Sequence, residues 1–160
     1  EDPFRLVDQL EEDERLIADA ARAFAQSKLQ PRVTEAYANE TIAPDVFAEM
    51  GEAGLLGTTI PEEFGGLGYG YTGLGLVLEQ AGRNLSASPL QSTVLVAATL
   101  ISELGDSAQK EQWLSAIASG EKLLTLALQE GRHHAPEQTA ARAVQEGDAL
   151  LLKLCFAGKV

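Results

Sequence analysis

Phe47-Ala48-Glu49-Met50-Gly51-Glu52-Ala53-Gly54-Leu55-Leu56-Gly57-Thr58-Thr59-Ile60-Pro61-Glu62-Glu63-Phe64-Gly65-Gly66-Leu67-Gly68 is the stretch that decides how this chain reads. Its first half is helical. A helix starting near Pro44 is tolerated there because the first-turn N–H it lacks had no partner anyway. Val46, Phe47 and Met50 fall on one side of that helix, and Gly51 or Gly54 closes it. From Thr58 onward the period disappears and turn residues crowd together. Pro61 and the glycines remove helix propensity, while Ile60, Phe64 and Leu67 supply apolar anchors, so 60–70 is expected to be an ordered, mostly non-helical loop. Gly68-Tyr69-Gly70-Tyr71-Thr72-Gly73 matches G-x-G-x-x-G by letter. A dinucleotide fingerprint needs a strand immediately before it, and Pro61-Glu62-Glu63-Phe64-Gly65-Gly66 is not one. The loop reading is therefore preferred for these residues.

Helices are expected on both sides of this stretch. Upstream, Glu11-Glu12-Asp13-Glu14 places acid in a first turn, where it favours the positive end of the helix dipole. Leu16, Ala20 and Phe24, with Ile17 and Ala21 beside them, form an apolar row that Lys28 and Pro31 are expected to end. Downstream, Leu74, Val77, Leu78 and Ala81 restore helical spacing. After Pro89, residues 90–104 read as a long helix, apolar on most faces and expected at the centre of a bundle. Gly105 caps it, and Asp106 with Gln109 forms a capping box for another helix, with Trp113, Leu114 and Ile117 inward and Gly120 as its stop.

The pattern then changes. Residues 123–128 read as a short buried strand, and 140–144 and 149–156 as two more joined by a turn at Glu146-Gly147-Asp148. Helices followed by strands indicate two units, and so few strands cannot bury a sheet face alone. The expected fold class is mainly α: an N-terminal helical bundle over 1–121, then the first strands of an incomplete β-domain over 122–160.

Composition narrows the function. Twelve basic residues against 24 acidic ones give −12 over 160 residues, which argues against nucleic-acid binding through a general basic surface. At 45% apolar and 22% charged the chain is of soluble globular type. No apolar run approaches the roughly 18 residues needed to span a bilayer. The acidic N-terminus reads as neither a signal nor a transit peptide, so a cytoplasmic or mitochondrial-matrix location is expected. The single Cys155 excludes an internal disulfide and reads as a buried small hydrophobe. His133-His134 lacks further ligands, so no metal site is expected. Ser86 and Ser92 have no local base for nucleophilic catalysis.

Several segments together resemble the acyl-CoA dehydrogenase family. One pairs Phe47-x-x-Met50-Gly51-x-x-Gly54-Leu55-Leu56-Gly57 with Ile60-Pro61-Glu62-Glu63-Phe64-Gly65-Gly66-Leu67-Gly68. A second is Leu104-Gly105-Asp106-Ser107-Ala108-Gln109-Lys110, with Trp113-Leu114 and Ala118-Ser119-Gly120-Glu121. A third is Leu126-Ala127-Leu128-Gln129-Glu130, standing where the family passes into its β-domain. Within the family, 2–37, including Ala25-Gln26-Ser27-Lys28-Leu29-Gln30-Pro31-Arg32-Val33, is most similar to glutaryl-CoA dehydrogenases.

The resemblance implies a complete protein with a helical domain, a β-domain and a C-terminal helical domain, holding FAD and an acyl-CoA thioester. It also implies a homotetramer or heteromer, and an electron-transfer flavoprotein or similar acceptor as partner. Leu126, Leu128 and Gln129 would lie against the flavin, and Gln91, Ser92 and Val96 would line the acyl slot. His134 and Ala135 stand where the family has a serine near the thioester, a contact Ala135 cannot make. Gln129-Glu130-Gly131 replaces the usual Thr-Glu-Pro. The family's catalytic base, a glutamate of the C-terminal helical domain, has no counterpart here, so no catalytic residue is assigned. A non-catalytic subunit of the same fold and a plain helical interaction module are the competing readings.

Overall fold

The first long helix, α1 (Glu12–Phe24), opens with Glu11 and Glu14 in a reciprocal capping box. Its buried row is Ile17, Ala21 and Ala25, continuing to Leu29, while Leu16 is 60% exposed. The buried row is thus displaced by one residue from Leu16, Ala20 and Phe24 to Ile17 and Ala21, which were expected beside it; of the first three only Phe24 packs against the core. Nor does the helix end at Pro31. It widens into a π-helical segment, Ala25–Leu29, and continues as α2 (Gln30–Ala38) with Pro31 in the first turn. A proline within a helix has no N–H for the carbonyl four residues back, and its ring collides with that carbonyl. A wider turn relieves the collision. Ser27 Oγ donates to the Ala23 carbonyl at 2.7 Å within this turn. This computed structural model describes Arg5 and residues 7–127, 135–146 and 149–153.

Helix α3 (Asp45–Glu52) follows Pro44 and buries Val46 and Met50, with Phe47 packed alongside. Gly54, at φ +74°, closes it: Leu55 N–H reaches the Met50 carbonyl and Gly54 N–H the Gly51 carbonyl, both at 2.9 Å. This two-bond stop needs a left-handed residue, which glycine supplies without steric cost. Gly51 sits inside the helix rather than at its end. Arg32 pairs with Glu49 at 3.0 Å and with Asp45 at 3.5 Å, tying α2 to α3.

The loop after α3 is held by its own backbone. Leu67 N–H donates to the Gly57 carbonyl at 2.8 Å and Gly68 N–H to the Ile60 carbonyl at 3.0 Å, around a 3₁₀ turn at Glu62–Phe64. A Cβ on Gly66 would collide with the Ile60 carbonyl, so glycine is needed for the two backbone passes to approach. Ile60 is fully buried. The expectation of an ordered loop holds to residue 69. Helix α4 (Gly70–Arg83) then begins four residues before the apolar row at Leu74, so Gly70 to Gly73 are helical rather than loop. First-turn N–H groups have no intrahelical partner to lose, so a glycine start is tolerated there. Among the described residues no strand precedes Gly68, and 58–67 immediately before it is loop and 3₁₀ turn, which rules out the dinucleotide cradle.

Helix α4 packs against α1 and ends at Leu85, a non-glycine residue at φ +49° that is 82% exposed. With Tyr37 and Ile42, Leu85 borders an open groove of about 850 Å³ that contains none of the expected site residues. Residues 90–104 form a π-helical segment, Leu90–Ala97, running into α5 (Ala98–Leu104). Its burial is one-sided: Leu90, Val94, Ala97 and Ala98 are buried, whereas Leu95 and Leu100 are half-buried and Leu104 is 80% exposed. The expected all-round burial is thus corrected; an apolar surface all round does not require an apolar neighbour all round.

Helix α6 (Ser107–Ala118) starts on the expected capping box, with Asp106 Oδ1 accepting from Gln109 N–H at 2.8 Å and Gln109 Oε1 from Asp106 N–H at 3.0 Å. Leu114 and Ile117 are fully buried, and Trp113 is half-buried. Leu114 and Ile117 form a second cluster with Ile60, Ala98 and Ala118.

The chain divides into two compact units, Glu1–Thr125 and Leu126–Val160. In the second, β1 (Arg142–Glu146) and β2 (Ala149–Lys153) pair antiparallel with Glu146 opposite Ala149. The first strand is thus shifted from the expected 140–144 to 142–146, and Glu146 belongs to it rather than to the turn. Gly147 and Asp148 lie outside the described residues. The strand expected at 123–128 does not form over the described residues 123–127, and Leu123 and Leu126 are 40% and 44% exposed. An apolar run with no hydrogen-bonded neighbour along it remains irregular. Cys155 and Phe156 lie outside the described residues.

Candidate functional site

The side of the Leu90–Ala97 segment turned away from the core carries the first group of expected ligand residues. Gln91 is exposed, and Ser92 and Val96 are half-buried. Ser92 Oγ donates to the Pro89 carbonyl at 3.3 Å. Half-buried Thr99 extends this half-open surface, while Leu95 packs against the edge of the core. Tyr71 OH shares a hydrogen bond with Thr99 Oγ1 at 3.3 Å, and Thr99 Oγ1 donates to the Leu95 carbonyl at 2.6 Å. The result is an apolar surface edged by hydroxyls, which suits an aliphatic chain ending in a polar group.

The opposite side is fastened by two threonines. Thr59 Oγ1 donates to the Val94 carbonyl at 3.3 Å. Thr93, 1% exposed, bonds the backbone of Leu124 in both directions. Neither threonine, nor Tyr71 or Thr99, was marked by the sequence reading. The available signal was Thr93 itself, a polar side chain inside an apolar run that requires a buried partner.

The second group of expected residues belongs to the second unit. Leu126 is 44% exposed. Ala135 is half-buried, and its carbonyl accepts from Gln138 N–H at 2.9 Å at the start of the Pro136–Gln138 turn. Leu128, Gln129 and His134 lie outside the described residues. Glu79 forms an ion pair with Arg83 at 2.6 Å, the bland role expected of a helix-surface carboxylate.

The described residues thus form a mainly helical unit whose 54–68 loop is bonded to one open-sided helix. The family described as "Acyl-CoA dehydrogenase, N-terminal domain" matches residues 11–121, and the chain belongs to the acyl-CoA dehydrogenase family. It is 33% identical over 142 residues to (2S)-methylsuccinyl-CoA dehydrogenase of Cereibacter sphaeroides, covering 87% of this chain and 26% of that protein. It is 30% identical over 149 residues to the short-chain specific mitochondrial acyl-CoA dehydrogenase of Rattus norvegicus, covering 90% and 36%. Among solved structures, the glutaryl-CoA dehydrogenase of Mycobacterium smegmatis superposes with a TM-score of 0.79 at 29% identity, covering 92% of this chain and 39% of that one. The chain spans about a quarter to a third of the length of these curated relatives.

Proposed function

We propose that this chain is the N-terminal helical domain, over 1–121, and the opening of the β-domain, over 122–160, of an FAD-dependent acyl-CoA dehydrogenase. The half-open side of the 90–104 helix carries this reading: Ser92 and Val96 stand there, where the family resemblance places an acyl group. In the complete protein Gln91, Ser92 and Val96 line the acyl slot, with His134 and Ala135 nearer the thioester. Leu126, Leu128 and Gln129 hold the flavin edge. Leu126, 44% exposed, fits that role by offering accessible apolar surface. Bound FAD supplies the acceptor for the substrate's β-hydrogen as hydride. The α-proton is taken by a carboxylate outside this chain, so the residues here orient the substrate and exclude water rather than move the proton. An electron-transfer flavoprotein or similar acceptor reoxidises the enzyme, which assembles as a tetramer or heteromer in a cytoplasmic or matrix compartment. No described helix is long and apolar enough to cross a membrane.

Gln129-Glu130-Gly131, where the family usually has Thr-Glu-Pro, favours a second reading: a non-catalytic subunit of the same fold beside an active partner. The test is to purify the complete polypeptide and assay it with an acyl-CoA panel and an artificial electron acceptor. Bound flavin with turnover supports the enzyme; flavin without turnover supports the subunit; no flavin overturns both. The 160-residue chain alone is expected neither to retain FAD nor to reduce the dye. Stoichiometric FAD binding with dye reduction by that chain would overturn the domain assignment.

A further inference from the structure

Residues 122–127 leave the helical unit without regular secondary structure, so their peptide groups need partners found one at a time. Leu124 finds two on a single side chain. Thr93 Oγ1 donates to the Leu124 carbonyl at 2.7 Å and accepts from the Leu124 N–H at 3.2 Å. A hydroxyl can do both at once, which a methyl or a charged group cannot. Thr93 is 1% exposed, and Leu124 packs against the cluster of Ile60, Leu114 and Ile117. Breaking the clasp takes a buried hydroxyl away from the Leu124 N–H and carbonyl, which are part-buried and must then find other partners.

The two ends of the clasp lie next to different parts of the proposed site. Thr93 adjoins Ser92 and stands three residues before Val96, both on the half-open side of its helix. Leu124 stands two residues before Leu126, within about 7 Å of extended chain. We propose that Thr93 is a positioning residue: its hydroxyl fixes the point at which the chain passes from the acyl-lining helix to the flavin-lining segment. This rests on the dehydrogenase reading above and adds a residue outside the candidate set carried by the family resemblance. A threonine that merely satisfied its own polar atom could do so on a carbonyl of its own helix, as Thr99 does with Leu95 at 2.6 Å. Thr93 instead reaches a residue 31 positions away.

The test compares complete wild-type protein with Thr93→Val and Thr93→Ser. Four quantities are read: amide exchange at Leu124, FAD affinity, the position of the flavin absorption band, and kcat and KM on an acyl-CoA that the wild type oxidises. Thr93→Val is expected to lose protection at Leu124, to weaken FAD binding and to lower kcat at saturating FAD, the last two by about tenfold, with KM nearly unchanged. Thr93→Ser, which keeps the hydroxyl, is expected to stay within about twofold of wild type on each measure. A purely structural clasp would lower Tm and leave the FAD affinity, the band and kcat in place; that result overturns the proposal. So does a Thr93→Ser protein as impaired as Thr93→Val, because the methyl would then be the group that matters. If Thr93→Val yields no folded protein, Thr93→Cys, with its weak donor and acceptor, takes its place under the same two readings. A wild type without flavin overturns the dehydrogenase reading and this one together. An active wild type with an unaltered Thr93→Val overturns this one alone.

Discussion

The two π-helical segments share a backbone distortion and differ in its origin. Ala25–Leu29 is explained within its own neighbourhood: Pro31 follows at once, and Ser27 bonds a carbonyl of the preceding turn. Leu90–Ala97 contains no proline and no glycine. Besides local bonds from Ser92 to the Pro89 carbonyl and from Thr99 to the Leu95 carbonyl, it has distant partners: Thr59, 35 residues away from Val94, and Leu124, 31 residues away from Thr93. A wide turn can therefore follow from a local steric conflict or from the demands of packing, and only the first kind can be read along the chain. The second kind also lies beside the candidate ligand residues, as π-turns often do at functional sites.

The largest effect that would sharpen this contrast is on the packed segment. Leu90→Ala, at a fully buried position, is expected to cost about 2–5 kcal/mol. The half-buried Leu95 is expected to lose only about 1 kcal/mol on the same change. Urea unfolding of the two variants measures both, and equal losses would mean that the segment is buried on both sides after all. Next comes Thr59→Val, which deprives the Val94 carbonyl of its side partner and is expected to cost about 0.5–1.5 kcal/mol. Amide exchange should loosen across 90–97 while 25–29 keeps its protection. The smallest effect belongs to the locally determined turn. Pro31→Ala regains an N–H but loses a preset φ, so stability should move by less than about 1 kcal/mol. Backbone chemical shifts over 25–31 should then report ordinary α-helix; a persisting π-turn would show that the proline is not its cause.

What was legible in the sequence follows the same division. The Asp106 and Gln109 box was readable because both of its bonds close within four residues, and the 58–68 loop because Pro61 and its glycines act locally. The α1 row was misplaced by one position because Leu16-Ala20-Phe24 and Ile17-Ala21-Ala25 are neighbouring rows of one helix, and only the packing partner chooses between them. Residues 123–127 were misread because an apolar run carries no information about whether a neighbouring strand exists. Ser92 and Val96 entered through the family resemblance, and the structure adds that they occupy the less buried side of their helix. Thr93 was lost among apolar letters because its significance depends on Leu124.

Leu85 gives the protein engineer an unusual opening. It holds a left-handed backbone conformation that costs a branched side chain about 1 kcal/mol or more, yet it contributes little to the core and presents its isobutyl group to solvent. In the separately expressed chain, Leu85→Gly should relieve the conformational strain and trim an adhesive surface in one step. A single codon change could thus improve both shelf life and the concentration at which the domain can be handled.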